Sequence, residues 1–227
     1  MTDAIIQPIQ AVIFDMDGVL VDSEFLHTKA EKKTLAPYGI ELSKEEINNY
    51  MGMGVKMILK SLIEKYPLPI TGETLFRIHE KNLSDLFQEE LEIMPGAMEI
   101  INHLKNRKIK LALASSSSPA LIDLVLKIIH LESAFDVVIS GEEVANGKPF
   151  PDIFRKTAEL LNVQPDRCVV IEDSKNGVTA AKSAGMICIG FRSPNSRNQD
   201  ISRSDCIVDD LLRISEIRFG GKDLLQV

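Results

Sequence analysis

Ala11-Val12-Ile13-Phe14-Asp15-Met16-Asp17-Gly18 is the stretch on which the fold turns. Its first four residues form a continuous apolar run rich in β-branched and aromatic types, the pattern of a strand covered on both faces. Two aspartates follow at once, and Gly18 permits a sharp turn after them. In extended backbone, side chains two apart point the same way. Asp15 and Asp17 are therefore expected to face one spot while Phe14 and Met16 turn away.

Working outward, the same texture returns at Lys110-Leu111-Ala112-Leu113-Ala114, Val137-Val138-Ile139, Cys168-Val169-Val170-Ile171, Met186-Ile187-Cys188-Ile189 and Cys206-Ile207-Val208. Helical periods lie between these runs. One puts Ile100, Ile101 and Leu104 on a single stripe; another opens at Pro119 with Leu121, Ile122, Val125 and Ile129 inward; a third runs over 151–161. A fourth covers 174–184, with Asp173 or Ser174 as its N-cap and Gly185 as its stop. Strand and helix alternating in this way predict an α/β fold, a doubly wound parallel sheet wrapped by helices. From Ser23 to about Glu92 the alternation fails, and only helical periods appear, punctuated by Gly39, Gly52, Gly54, Pro67 and Pro69. Roughly seventy residues is too long for an ordinary crossover. The expectation is a core of 1–22 and 93–227 with a helical cap domain, 23–92, inserted after the first strand.

Composition narrows the function. Of 227 residues, 44% are hydrophobic and 26% charged, ordinary for a globular chain. The net charge of −7 and a pI near 5.2 speak against nucleic-acid and membrane-surface roles, which need a basic face. Cys168, Cys188 and Cys206 sit in or beside β-rich apolar runs, and their odd count and wide spacing fit neither a disulfide framework nor a zinc site. No segment reaches the length of a membrane span, and residues 1–10 lack the basic start and apolar run of an export signal. The expected location is the reducing cytoplasm, and the expected state a monomer.

The chemistry gathers at strand ends. Asp15 and Asp17 follow the first strand, Ser115 follows 110–114, and Glu172-Asp173 follow 168–171, while Lys148 lies in the turn Asn146-Gly147-Lys148-Pro149 before a helix. In open parallel sheets, sites form beyond the carboxyl ends of the strands. Four carboxylates converging there would repel one another. A divalent cation with oxygen ligands relieves this, and Mg²⁺ suits such a site because it keeps waters and shares substrate phosphates. Carboxylate nucleophile, metal, lysine and hydroxyl form a set suited to phosphoryl transfer.

Asp15-Met16-Asp17-Gly18-Val19, Ser115 after an apolar strand, Lys148-Pro149 and Glu172-Asp173-Ser174 together resemble the four ordered motifs of the haloacid dehalogenase-like hydrolases. The chain is most similar to the β-phosphoglucomutase-like sugar phosphatases within them. The resemblance covers nearly the whole chain, including the cap. It implies that Asp15 attacks phosphorus to form an aspartyl phosphate and that Asp17 acts as general acid and base. It also implies that Ser115 and Lys148 hold phosphoryl oxygens; Ser116, placed with them, and Ser117 either bind phosphate too or form only a polar turn before Pro119. Mg²⁺ would then be bound by Asp15, the Asp17 backbone carbonyl and Asp173, with Glu172 a direct or outer ligand. True dehalogenases of this type lack the second aspartate, so Asp17 points to phosphate esters.

The implied activity is Mg²⁺-dependent hydrolysis of a small phosphorylated metabolite, a sugar or polyol phosphate. The first alternative is a sugar-phosphate mutase. A receiver-like signalling domain also pairs Asp, Lys and a hydroxyl around Mg²⁺, but it needs an open surface that a seventy-residue cap would cover. His27 stands where the phosphoglucomutases carry a histidine near the hinge, a feature shared with many phosphatases of the group. Val55 stands where the mutases carry an arginine that grips the distal phosphate, which weakens the mutase reading. Glu24, His27, Lys56 and Lys81 are the candidate substrate contacts of the cap, with Glu24 otherwise a hinge or cap residue and Lys56 and Lys81 otherwise simply solvated, and the turn Met51-Gly52-Met53-Gly54 could line the site.

Overall fold

The computed structural model describes residues 9–43, 46, 55–66, 68–193, 195 and 199–216, with the backbone alone for 55–57. At its centre, β1 (Ala11–Phe14) lies between β4 (Lys110–Ser115) and β6 (Cys168–Glu172), parallel to both. With β5 (Val137–Ser140), β7 (Ile187–Phe191) and β8 (Cys206–Val208) the sheet has six parallel strands, in the order β5-β4-β1-β6-β7-β8. The chain first winds outward from β1 through β4 to β5, then returns to the other side of β1 for β6. That reversal makes the carboxyl end of β1 the switch point where ligand crevices form.

All four residues of β1 are fully buried because both faces are covered. Val12 and Phe14 join one apolar cluster with Leu111, Leu113, Val169 and Ile171. Ala11 and Ile13 join the cluster on the opposite face with Ala112, Ala114 and Val170. Full burial of a Val, Ile or Phe side chain stabilises the fold by roughly 1.5–3 kcal/mol, so the strand carrying Asp15 is strongly anchored. Helices α4 (Ala97–Asn106), α5 (Pro119–Ile128), α6 (Asp152–Leu161) and α7 (Lys175–Ser183) follow the predicted periods to within a residue or two at their ends. Ser174 is the N-cap of α7, its side chain accepting from the Gly177 amide, which decides between the two candidates. Cys168 and Cys188 are buried, Cys206 is half-buried, and all three are free thiols. Among the described residues no helix is long and apolar enough to cross a membrane.

The inserted helical cap contributes α1 (Glu24–Leu35), α2 (Val55–Lys65) and α3 (Gly72–Glu90). Leu35, Ile58, Leu59, Leu62 and Leu75 form a small core of their own. The distal half of α3 joins the main core, since Leu83, Leu86 and Phe87 belong to the cluster that contains Leu121 and Ile122 of α5. Two short strands absent from the expectation, β2 (Val21–Asp22) and β3 (Glu92–Ile93), pair antiparallel and set the outgoing and returning chains side by side.

Candidate active site

Asp15 lies just past β1, its amide bonded to the carbonyl of Ile171 on β6. The residue is 7% exposed, and its Oδ1 accepts from Lys148 Nζ at 2.7 Å. The same ammonium donates to Glu172 Oε1 at 2.6 Å and to the Ala114 carbonyl at 3.2 Å, and it lies 5.1 Å from the Phe154 ring centroid. Glu172 is fully buried, and its other oxygen accepts from the amide and hydroxyl of Ser174, both at 2.9 Å. Gly177 makes room for it in the first turn of α7, because a Cβ there would stand 1.7 Å from Glu172 Oε1. Burial, then the Glu172 charge, pushes the Asp15 carboxyl up to about 7 although Lys148 pulls the other way. Lys148 is driven well above the usual lysine range, since its two carboxylate partners outweigh its burial.

Asp17 is placed differently from the sequence expectation. Asp15, Glu172 and Asp173 bring carboxylate oxygens within 4.8 Å of one another, three groups rather than four. The Asp17 carboxylate instead faces the cap and the serine loop. Oδ1 accepts from Ser23 Oγ at 2.6 Å and lies 3.0 Å from His27 Nε2, while Oδ2 accepts from Ser117 Oγ at 3.0 Å. The physical reason is that β1 ends at Phe14 and the chain turns immediately, with the Met16 carbonyl accepting from the amides of Val19, Leu20 and Val21. Asp17 thus stands outside the three-carboxylate cluster, while its charge still acts on Asp15. Burial pushes the Asp17 carboxyl up, but His27 and the two serine hydroxyls hold it below the usual carboxylate range. His27 resists its own burial because of Asp17, and its pKa rises to about 9. Ser115 is fully buried, its hydroxyl accepting from the Ser117 amide at 3.1 Å, while Ser116 next to it is exposed.

A model of the haloacid dehalogenase-like hydrolases matches residues 12–191. The chain belongs to this family. It is 40% identical over 178 residues to the phosphorylated carbohydrates phosphatase of Thermotoga maritima, covering 78% of this chain and 82% of that one. The crystal structure of CbbY from Rhodobacter sphaeroides in complex with phosphate superposes with a TM-score of 0.83 at 30% identity, over 91% of this chain and 96% of the other. A putative β-phosphoglucomutase from Thermotoga maritima gives 0.73 at 35% identity, over 92% and 97%. The neighbours of this haloacid dehalogenase-like hydrolase thus fall in the β-phosphoglucomutase-like sugar phosphatase group. Family, fold and carboxylate cluster together support phosphoric monoester hydrolysis.

The cluster fits a hard cation. Its donors are all carboxylate oxygens, and Lys148 offsets only one of three buried negative charges. Burial, followed by the charges of Glu172, Asp15 and Glu24, pushes Asp173 well above the ordinary carboxylate range, the strain that a divalent cation relieves. Gly18, at φ +77°, leaves the space that Asp173 fills: a Cβ there would sit 2.1 Å from Asp173 Oδ2.

The cap residues divide. Glu24 opens α1, and its charge acts on both His27 and Asp173. Lys81 has a 75% exposed side chain and pairs with Asp85 on its own helix at 2.9 Å. The side chains of Val55 and Lys56, and the turn at 51–54, lie outside the described residues. Sequence reasoning passed over Ser23, which holds Asp17, and read Ser174 as an N-cap and motif residue but not as a partner of Glu172; Ser117, read as a phosphate ligand or part of a polar turn, binds Asp17. For Ser174 the signal was present, since an N-cap serine directly after two acidic residues can reach back to them. Ser23 gave none, because its contact depends on the turn after β1.

Proposed function

We propose that the chain hydrolyses a small phosphate monoester, a sugar or polyol phosphate, with Asp15 as nucleophile and Mg²⁺ as cofactor. The observation that carries this reading is the second aspartate, bound by Ser23, His27 and Ser117 and near enough for its charge to act on Asp15. An Asp15 oxygen attacks phosphorus, and the bond from phosphorus to the ester oxygen breaks. The leaving alkoxide takes a proton held between Asp17 and His27. Water then attacks the phosphorus of the phosphoaspartate and gives a proton back to Asp17, releasing phosphate and restoring Asp15. Lys148 and the Ser115 and Ser116 region would bind phosphoryl oxygens. Mg²⁺ held by Asp15, Asp173 and the Asp17 carbonyl, with Glu172 beside them, would neutralise charge on the transferring group.

Support for a sugar phosphate comes from the Thermotoga maritima phosphatase, whose name specifies phosphorylated carbohydrates. A mutase would need a grip on a second phosphate, and Val55 occupies the position where the resemblance places that arginine. The test is a paired assay of free phosphate and glucose 6-phosphate with β-glucose 1-phosphate, its bisphosphate and a panel of sugar and polyol monophosphates. Steady phosphate release without fast isomerisation is expected. Isomerisation far ahead of release would reverse the choice in favour of the mutase.

A further inference from the structure

We propose that Glu80 is a positioning residue for this reaction, holding α3 of the cap onto the serine loop through the hydroxyl of Ser118. The proposal rests on the phosphatase reading above and adds to it a residue that the four motifs do not contain. Ser118 Oγ donates to both carboxylate oxygens of Glu80, at 3.0 and 3.1 Å. Ser118 is buried, at 8% exposure, and its hydroxyl also accepts from the Leu121 amide at 3.4 Å as the N-cap of α5. A hydroxyl has one proton, and here the proton goes to Glu80, so the contact requires an acceptor at position 80.

Its place in the chain gives the contact consequence. Ser118 directly follows Ser117, whose hydroxyl donates to Asp17 and whose carbonyl accepts from Ser140 Oγ at 2.6 Å. The cap therefore grips the site from two sides. Through α1, Ser23 and His27 hold Asp17; through α3, Glu80 holds the next residue after the one that touches Asp17. Leu83, Leu86 and Phe87 of α3 share a cluster with Leu121 and Ile122 of α5, so the bond sits beside apolar packing, where its strength exceeds that of an exposed pair. Lys81, one position on, points away because adjacent residues on a helix lie about 100° apart.

If Glu80 biases the cap toward the closed arrangement, its loss reduces the fraction of enzyme competent to bind substrate productively, which raises apparent KM before it lowers kcat. The experiment is a double-mutant cycle of Glu80→Ala and Ser118→Ala in the full chain, with Glu80→Gln and Ser118→Thr as variants that keep the acceptor and the hydroxyl. It is read in kcat and KM for a hydrolysed sugar monophosphate and in amide hydrogen exchange over 115–121. Glu80→Ala should lower kcat/KM about tenfold, mainly through KM, the scale of one hydrogen bond to a charged group. Glu80→Gln and Ser118→Thr should stay within about threefold of wild type, and Ser118→Ala should add less than about twofold on top of Glu80→Ala. Loop amides should exchange faster in Glu80→Ala. Independent, multiplying effects, or kcat/KM and exchange both unchanged in Glu80→Ala, would overturn the proposal while leaving the phosphatase reading intact. Wild-type protein that releases phosphate from no ester would sink that reading instead, and the exchange cycle would still decide whether Glu80 and Ser118 are coupled.

Discussion

Gly177→Ala sets two physical effects against each other, and the structure says which wins. Helix propensity alone favours alanine over glycine by about 1 kcal/mol, and Gly177 lies in the first turn of α7. The new Cβ would stand 1.7 Å from Glu172 Oε1 and 2.3 Å from Oε2, far inside van der Waals contact. Glu172 is fully buried, and its oxygens are bound by Lys148, the Ser174 amide and the Ser174 hydroxyl. Its carboxylate cannot move aside without breaking some of these. Losing two bonds to a charged group costs about 3–6 kcal/mol, against the gain of about 1. The net loss of about 2–5 kcal/mol should lower the melting temperature by roughly 5–15 °C in a chain of this size. Thermal and urea unfolding followed by circular dichroism would measure it, alongside the Mg²⁺ dependence of activity, which should shift to higher Mg²⁺. A variant as stable as wild type or more so, with unchanged Mg²⁺ dependence, would show that Glu172 is not held as described.

Chelation should abolish turnover and Mg²⁺ should restore it, with Ca²⁺ a poor substitute because it prefers more ligands at longer distances; full turnover in chelator would refute the metal site. Asp17→Asn should cut kcat by roughly 10²–10⁴ in a steady-state phosphate-release assay, and a loss below about tenfold would remove it from proton transfer. His79 on α3 is 1% exposed with neither ring nitrogen hydrogen-bonded, and burial followed by the nearby His27 charge depresses its pKa to about 4. Below the unfolded value near 6.5 the unfolded chain binds the extra proton, so this contribution to stability is complete above pH 6.5 and is lost as pH falls through 4, by up to about 3 kcal/mol. His79→Leu should therefore flatten stability against pH between 6.5 and 4 in urea titrations; parallel curves for the two proteins would contradict the assignment.

Much of this was legible in the chain because it rests on local patterns. Ala11-Val12-Ile13-Phe14 reads as a doubly covered strand, and it is one. Asp15, Glu172 and Asp173, at or just past the ends of buried strands, come together because parallel strands present their carboxyl ends side by side. Lys148 reaches them from its loop, as its place before α6 suggested. What escaped depends on tertiary geometry. Strands of two residues, such as β2 and β3, are too short to leave a periodic signal. The partners of Asp17, Ser23 and His27 from the cap side and Ser117 from the serine loop, are brought to it by tertiary contacts that no local pattern records. On α3 the singled-out Lys81 is paired on the surface, while its neighbour Glu80 meets the core. Helical phase, not residue type, decides between them.

Whether Asp15 carries the phosphoryl group is tested most directly by trapping it. Asp17→Asn would be mixed with Mg²⁺ and para-nitrophenyl phosphate, an activated ester whose leaving group needs no acid. The mixture would be quenched in acid within milliseconds, reduced with borohydride and mapped by mass spectrometry. An acyl phosphate is reduced to the alcohol, so the mass change of aspartate to homoserine should appear at position 15 and nowhere else, and only when substrate and metal are both present. Release of para-nitrophenol with no reducible acyl phosphate at Asp15, or with the phosphoryl group on another side chain, would contradict the covalent mechanism.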